Sequence, residues 1–225
     1  MTQLASQLKL PHGSGVWHFG RPDSVIDFDI YEGKFDRMRD LKSQVKDYTH
    51  SLVEREHPWN SDDTLFTVYM GSSEIERPLS TPSVVDWPSD EETIELFKKT
   101  QDSLFQSMDY LYQTGARWFA FVNAKPYTDY PSFLQDFKEE WRTEEYKPRH
   151  DARVDLWNEM ASAKISEWIA GHPNIYLKVI DNRRFHLEVR RQWNKFGFIP
   201  RGTKFGNVRT TEPIYQIHHG MLSRR

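Results

Sequence analysis

Apolar residues fall into two distinct rhythms along the chain. Phe35, Met38, Leu41, Val45, Tyr48 and Leu52 recur every three or four positions, which puts them on one face of a helix beginning near Lys34. Thr64–Met70 (TLFTVYM), Arg117–Asn123 (RWFAFVN) and Ile175–Asp181 (IYLKVID) are short, nearly continuous apolar runs rich in β-formers, the pattern of buried strands. Helices are predicted after each. Ser89 and Glu92 form a capping-box pair ahead of an apolar stripe running from Ile94 to Leu111, and Gly115 stands where a C-terminal cap belongs. A third helix is predicted over Arg153–Ala170 and a charged one near Arg184–Phe196. A last, short helix is predicted from a Thr211 cap through Ile214, Ile217 and Met221. Residues 1–23 read as an irregular N-terminal segment, and Ser24–Phe28 as one short extended piece.

Strand followed by helix, three times over, implies an α/β domain with a parallel sheet and helices on both faces. In such sheets ligands bind at the carboxyl ends of the strands, so the positions just after Met70, Val122 and Ile180 are the ones to inspect. The 225 residues suit one domain rather than two. A net charge of −3, with both signs mixed along the chain, argues against nucleic acid or an anionic membrane as partner. No apolar run approaches the roughly 20 residues that a membrane helix needs. Without cysteine there is no disulfide, thiolate nucleophile or Cys-ligated zinc. The histidines, His186 among them, lack metal-ligand spacing, so no metal and no cofactor are expected. The first ten residues do not read as a signal peptide. With Met1 as the true start the chain is expected to be cytoplasmic; a start further upstream would make it secreted.

Three segments in order carry a family likeness. His57–Asp63 followed by TLFTVYMGSSEIER, then Tyr112–Phe133, then Trp157–Phe198 with its Phe-Gly-Phe end, resemble successive units of the fungal GDSL/SGNH acetylesterases. The likeness extends from about Ser24 to the C-terminus and implies a flavodoxin-like, three-layer α/β fold. It also implies serine-hydrolase chemistry: a Ser nucleophile on a Gly-Asp-Ser turn, a His base from an Asp-x-x-His motif, and an oxyanion hole containing a Gly amide and an Asn side chain. Serine needs a neighbouring base to become nucleophilic, and one oxyanion donor is worth roughly 3–4 kcal/mol of barrier. The ligand implied is an acetylated carbohydrate or small ester.

This sequence departs from that pattern at each block. Arg21–Asp27 falls on the family's Gly-Gly block, with too little chain upstream for the first strand and its Gly-Asp-Ser turn. Leu4–Leu10 or Gly15–Phe19 would have to replace that strand, or the sequence begins downstream of it. Gly71 and Ser73 occupy the oxyanion positions, with Ser73 in place of the Asn. Arg209 falls on the catalytic His, and a guanidinium cannot accept a proton at neutral pH. The main expectation is therefore a degenerate esterase relative. A second register treats Phe19–Ser24 as an interrupted Phe-Gly-Asp-Ser turn, with Ser24 as nucleophile and His218 or His219 as base. A third reading is a non-enzymatic carbohydrate-binding or interaction protein, for which Trp59, Tyr127 and Tyr130 are the candidate ligand contacts.

Overall fold

The computed structural model describes residues 15–21, 24–31, 40–54, 59–76, 88–126, 128, 145–196, 199–201 and 214–216. The three apolar runs are strands: β1 (Leu65–Tyr69), β2 (Trp118–Val122) and β3 (Tyr176–Ile180). They pair in parallel in the order β1-β2-β3, with Leu65, Trp118 and Tyr176 in one row and Tyr69, Val122 and Ile180 in another. The architecture is mixed α/β and fits the flavodoxin-like class expected from the sequence.

Among the described residues the α-helices are α1 (Leu41–Tyr48), α2 (Ser72–Glu76), α3 (Asp90–Gln113), α4 (Tyr146–Gly171) and α5 (Asn182–Arg191). The α3 start has the expected capping box: Ser89 Oγ accepts from the Glu92 amide, and the Glu92 carboxylate accepts from the Ser89 amide. Gly115 then adopts a positive φ of 111° just past its end, a conformation that favours glycine.

Two helix boundaries differ from expectation. Asp40 has extended backbone and caps α1, its carboxylate accepting from the Ser43 amide at 2.8 Å, so the helix starts at Leu41. Its far end runs on into a π-helical turn, Thr49–Val53. Helix α4 starts at Tyr146, ahead of the expected Arg153, and contains Pro148. That proline lies in the first turn, where no backbone N–H is needed for an intrahelical bond.

The C-terminal helix is not formed at its centre. Ile214–Gln216 is instead strand β5, antiparallel to β4 (Ile199–Arg201), giving a separate two-stranded ladder. The spacing of Ile214, Ile217 and Met221 fits a helix, but the β-branched and aromatic residues of Ile214–Gln216 suit a pleated ladder, and pairing with β4 decides the outcome. Among residues 15–19 there is no strand, and residues 4–10 lie outside the described set.

The core lies on one face of the sheet. Neighbouring parallel strands taken in one direction need right-handed crossovers on the same side, and α3 and α4 accordingly pack there. Phe119 meets the Trp168 ring of α4, while Phe66 meets Tyr48 of α1. Phe97, Leu104, Met108, Val154, Trp157 and Ile165 fill the space between. On the opposite face Leu65, Tyr69, Trp118, Tyr176 and Ile180 remain exposed.

Candidate functional site at the carboxyl ends of the strands

The Ser24–Asp27 segment is buried and pairs with no strand among the described residues, and Phe28, expected to end an extended piece, instead opens a 3-10 turn. The backbone of the segment is tied to other elements. Val25 O accepts from the Leu41 amide at 2.8 Å, and the Ile26 amide donates to Glu74 Oε1 at 2.6 Å. Asp27 caps the 3-10 turn Phe28–Ile30 and also receives Lys42 Nζ at 2.7 Å and Ser103 Oγ at 2.6 Å. Burial pushes the Asp27 carboxyl upward, but those donors outweigh it and hold it below the usual value.

Ser24 is buried within this piece. Its Oγ accepts from Gln44 Nε2 at 2.6 Å and donates to Val25 O at 3.3 Å. Gln44 belongs to α1, where its spacing from Leu41 and Tyr48 turns it inward. A carboxamide N–H donates and has no capacity to take up a proton, so this contact satisfies the hydroxyl without activating it.

The turn after β1 is equally occupied. Gly71 has φ 118°, and a Cβ there would run into the Trp157 indole, so the turn is moulded around that ring. The Gly71 amide donates to Glu74 Oε2 at 3.0 Å. Glu74, on α2, is completely buried and joins the β1 turn to the Ile26 backbone through its two oxygens. Ser73 is half-buried on the same short helix, beside Ser72, whose Oγ lies 3.4 Å from the Tyr69 hydroxyl.

The ends of β2 and β3 present different groups. Asn123 Oδ1 accepts from the Asn182 amide at 2.7 Å, helping to cap α5 from outside, and Asn123 Nδ2 donates to Asp181 Oδ1 at 3.2 Å. Asn158 of α4 grips the next residue at both backbone groups: the Ala124 amide donates to its Oδ1 at 3.0 Å and its Nδ2 donates to Ala124 O at 2.9 Å. Lys125 follows directly, so its backbone leaves a clamped position. Its Nζ stands 2.7 Å from Nε2 of His186 on α5. Burial drives the Lys125 ammonium down to about 8, and the Glu76 carboxylate of α2 only partly offsets that.

The structure thus brings Ser24, Gly71 and Ser73 to one end of the sheet, with Lys125 and His186 at the neighbouring strand ends. Trp59 does not join them. It packs edge-on against Tyr48 and Phe66 and lies beside Gly115, at the amino ends of β1 and β2. Tyr127, Tyr130, Arg209, His218 and His219 lie outside the described residues. Among the described residues no group of three His, Asp or Glu side chains is arranged to hold a metal ion, and no helix is long and apolar enough to cross a membrane.

Gln44, Glu74, Lys125 and His186 carry no local motif. Only the rule that ligands meet parallel sheets at their carboxyl ends points toward Lys125, three residues past β2.

No family model matches this chain. Over 140 residues it is 24% identical to an acetylesterase of Thermothelomyces thermophilus, a stretch that makes up 61% of this chain and 42% of that protein. The chain therefore spans less than half the length of that curated relative. The likeness is distant, and it is to an esterase.

Proposed function

We propose that this chain is a carbohydrate-acetylesterase-like protein of the GDSL/SGNH kind with degraded catalytic blocks. It takes an acetylated carbohydrate or small ester at the carboxyl ends of its strands and hydrolyses it weakly or not at all. The observation that carries this reading is the 2.6 Å contact between Gln44 Nε2 and Ser24 Oγ. An esterase serine needs a base at that position. Occupation of the Gly71 amide by Glu74 supports the same reading, since an oxyanion donor must be open to the developing charge. The Thermothelomyces relative supports an ester as the ligand class.

The test is steady-state hydrolysis of an acetylated oligosaccharide by the folded chain and by Ser24→Ala. The reading expects rates close to background, with no loss in Ser24→Ala. A kcat/KM in the usual enzyme range of about 10⁴ M⁻¹s⁻¹ or more, abolished in Ser24→Ala, would make the protein a working serine esterase.

A further inference from the structure

Three elements meet at Lys125. The loop after β2 carries it, α5 after β3 supplies His186, and α2 after β1 supplies Glu76. The Asn158 clamp on Ala124 and the Asn123 bridge to α5 fix the two backbones from which Lys125 and His186 project. A lysine held in this way is the type of amine that enzymes use as a nucleophile: partly withdrawn from water, with an imidazole fixed beside it. Nε2 of His186 faces the amine, and in the neutral tautomer with its proton on Nδ1 that nitrogen can accept. Neither group has a role in the serine chemistry discussed above.

We propose that Lys125 is an acyl-accepting amine, attacking the carbonyl carbon of a small activated acyl ester while His186 takes the proton released. The balance is simple. A C–N bond forms between the acyl carbon and Nζ, and the bond from that carbon to the alcohol or phenol oxygen breaks. One amine proton passes to His186 Nε2 and then to the leaving oxygen, giving an amide on Lys125 and a free alcohol or phenol. The lowered proton affinity of Lys125 supports this, since at pH 8 about half of such an amine is neutral, whereas an ordinary lysine is almost wholly charged. Glu76 opposes the effect by favouring the ammonium. The chemistry differs from serine-esterase catalysis in yielding one acylation per chain rather than turnover.

The experiment exposes the full folded chain to p-nitrophenyl acetate at pH 8 and maps the acetylated peptides over time. Lys125 is expected to be acetylated about tenfold faster than an exposed lysine such as Lys98, with release of p-nitrophenolate limited to a stoichiometric burst. Lys125→Arg should remove the burst. His186→Gln, whose side chain can accept a hydrogen bond but not a proton, should slow it several-fold while leaving the far-ultraviolet circular dichroism unchanged. Acetylation of Lys125 no faster than of Lys98 on folded protein would overturn the proposal, and an unaltered rate in His186→Gln would overturn the role of His186. Continuous turnover that survives in Lys125→Arg would instead contradict the non-hydrolytic reading of Ser24, leaving the peptide map to decide this one.

Discussion

The carboxyl end of β1 and the carboxyl ends of β2 and β3 lie side by side on one sheet, yet they are built for different ends. At β1 the Gly71 amide, the Glu74 carboxylate and the Ser24 hydroxyl are all used inward. Gly71 moulds its turn to Trp157, Glu74 spends both oxygens on backbone amides, and Ser24 is held by Gln44. At β2 and β3 the backbone is clamped by Asn158 and Asn123, and the side chain that follows is an amine with weakened affinity for its proton. Side chains that make a turn rigid leave it little chemistry, whereas a rigid backbone below a titrating side chain creates some. The likeness to a fungal acetylesterase raises the expectation of chemistry at the β1 end, and the local contacts there argue for a structural role.

The sharpest way to break that contrast is at Gly71. Gly71→Ala puts a Cβ into the Trp157 ring at a positive φ, and should cost more than about 3 kcal/mol by urea denaturation. A near-neutral effect would mean the β1 turn is less rigid than described. Next comes Glu74→Gln. The amide keeps one acceptor oxygen, so one of the Ile26 and Gly71 amides loses its partner in a buried place, at about 1–3 kcal/mol.

Asn158→Ala removes both hydrogen bonds to Ala124 and should cost about 1–2 kcal/mol, while also broadening the Lys125 and His186 resonances in NMR spectra. A further test is a pH dependence. Lys125 has a folded pKa of about 8 against an ordinary 10.5, so between those values the unfolded chain binds more protons than the folded one. Its contribution to stability therefore rises as pH increases from about 8 to 10.5. Lys125→Met should flatten that rise, which is measured by urea midpoints across the window, whereas the β1 variants should retain it.

Much of this architecture is legible in the sequence, for identifiable reasons. The three strands are short apolar runs with sharp polar borders, and α3 announces itself through the Ser89–Glu92 box. Pro148 reads as punctuation, but in the first turn of α4 it is compatible with a helix. Ile214–Gln216 lies in a stretch whose apolar spacing fits a helix, and pairing with Ile199–Arg201 determines the outcome. The contacts that define the two strand ends are long-range: Gln44 reaches Ser24 across 20 positions, and His186 reaches Lys125 across 61. Such contacts depend on the fold and leave no periodic mark.

The most direct measurement of the central claim is the intact mass of the folded chain after exposure to a fluorophosphonate, which labels a serine only where a base activates it. The account predicts no adduct under conditions in which circular dichroism shows the chain folded. An adduct on Ser24 that disappears in Ser24→Ala would contradict it and make the β1 end a working hydrolytic site.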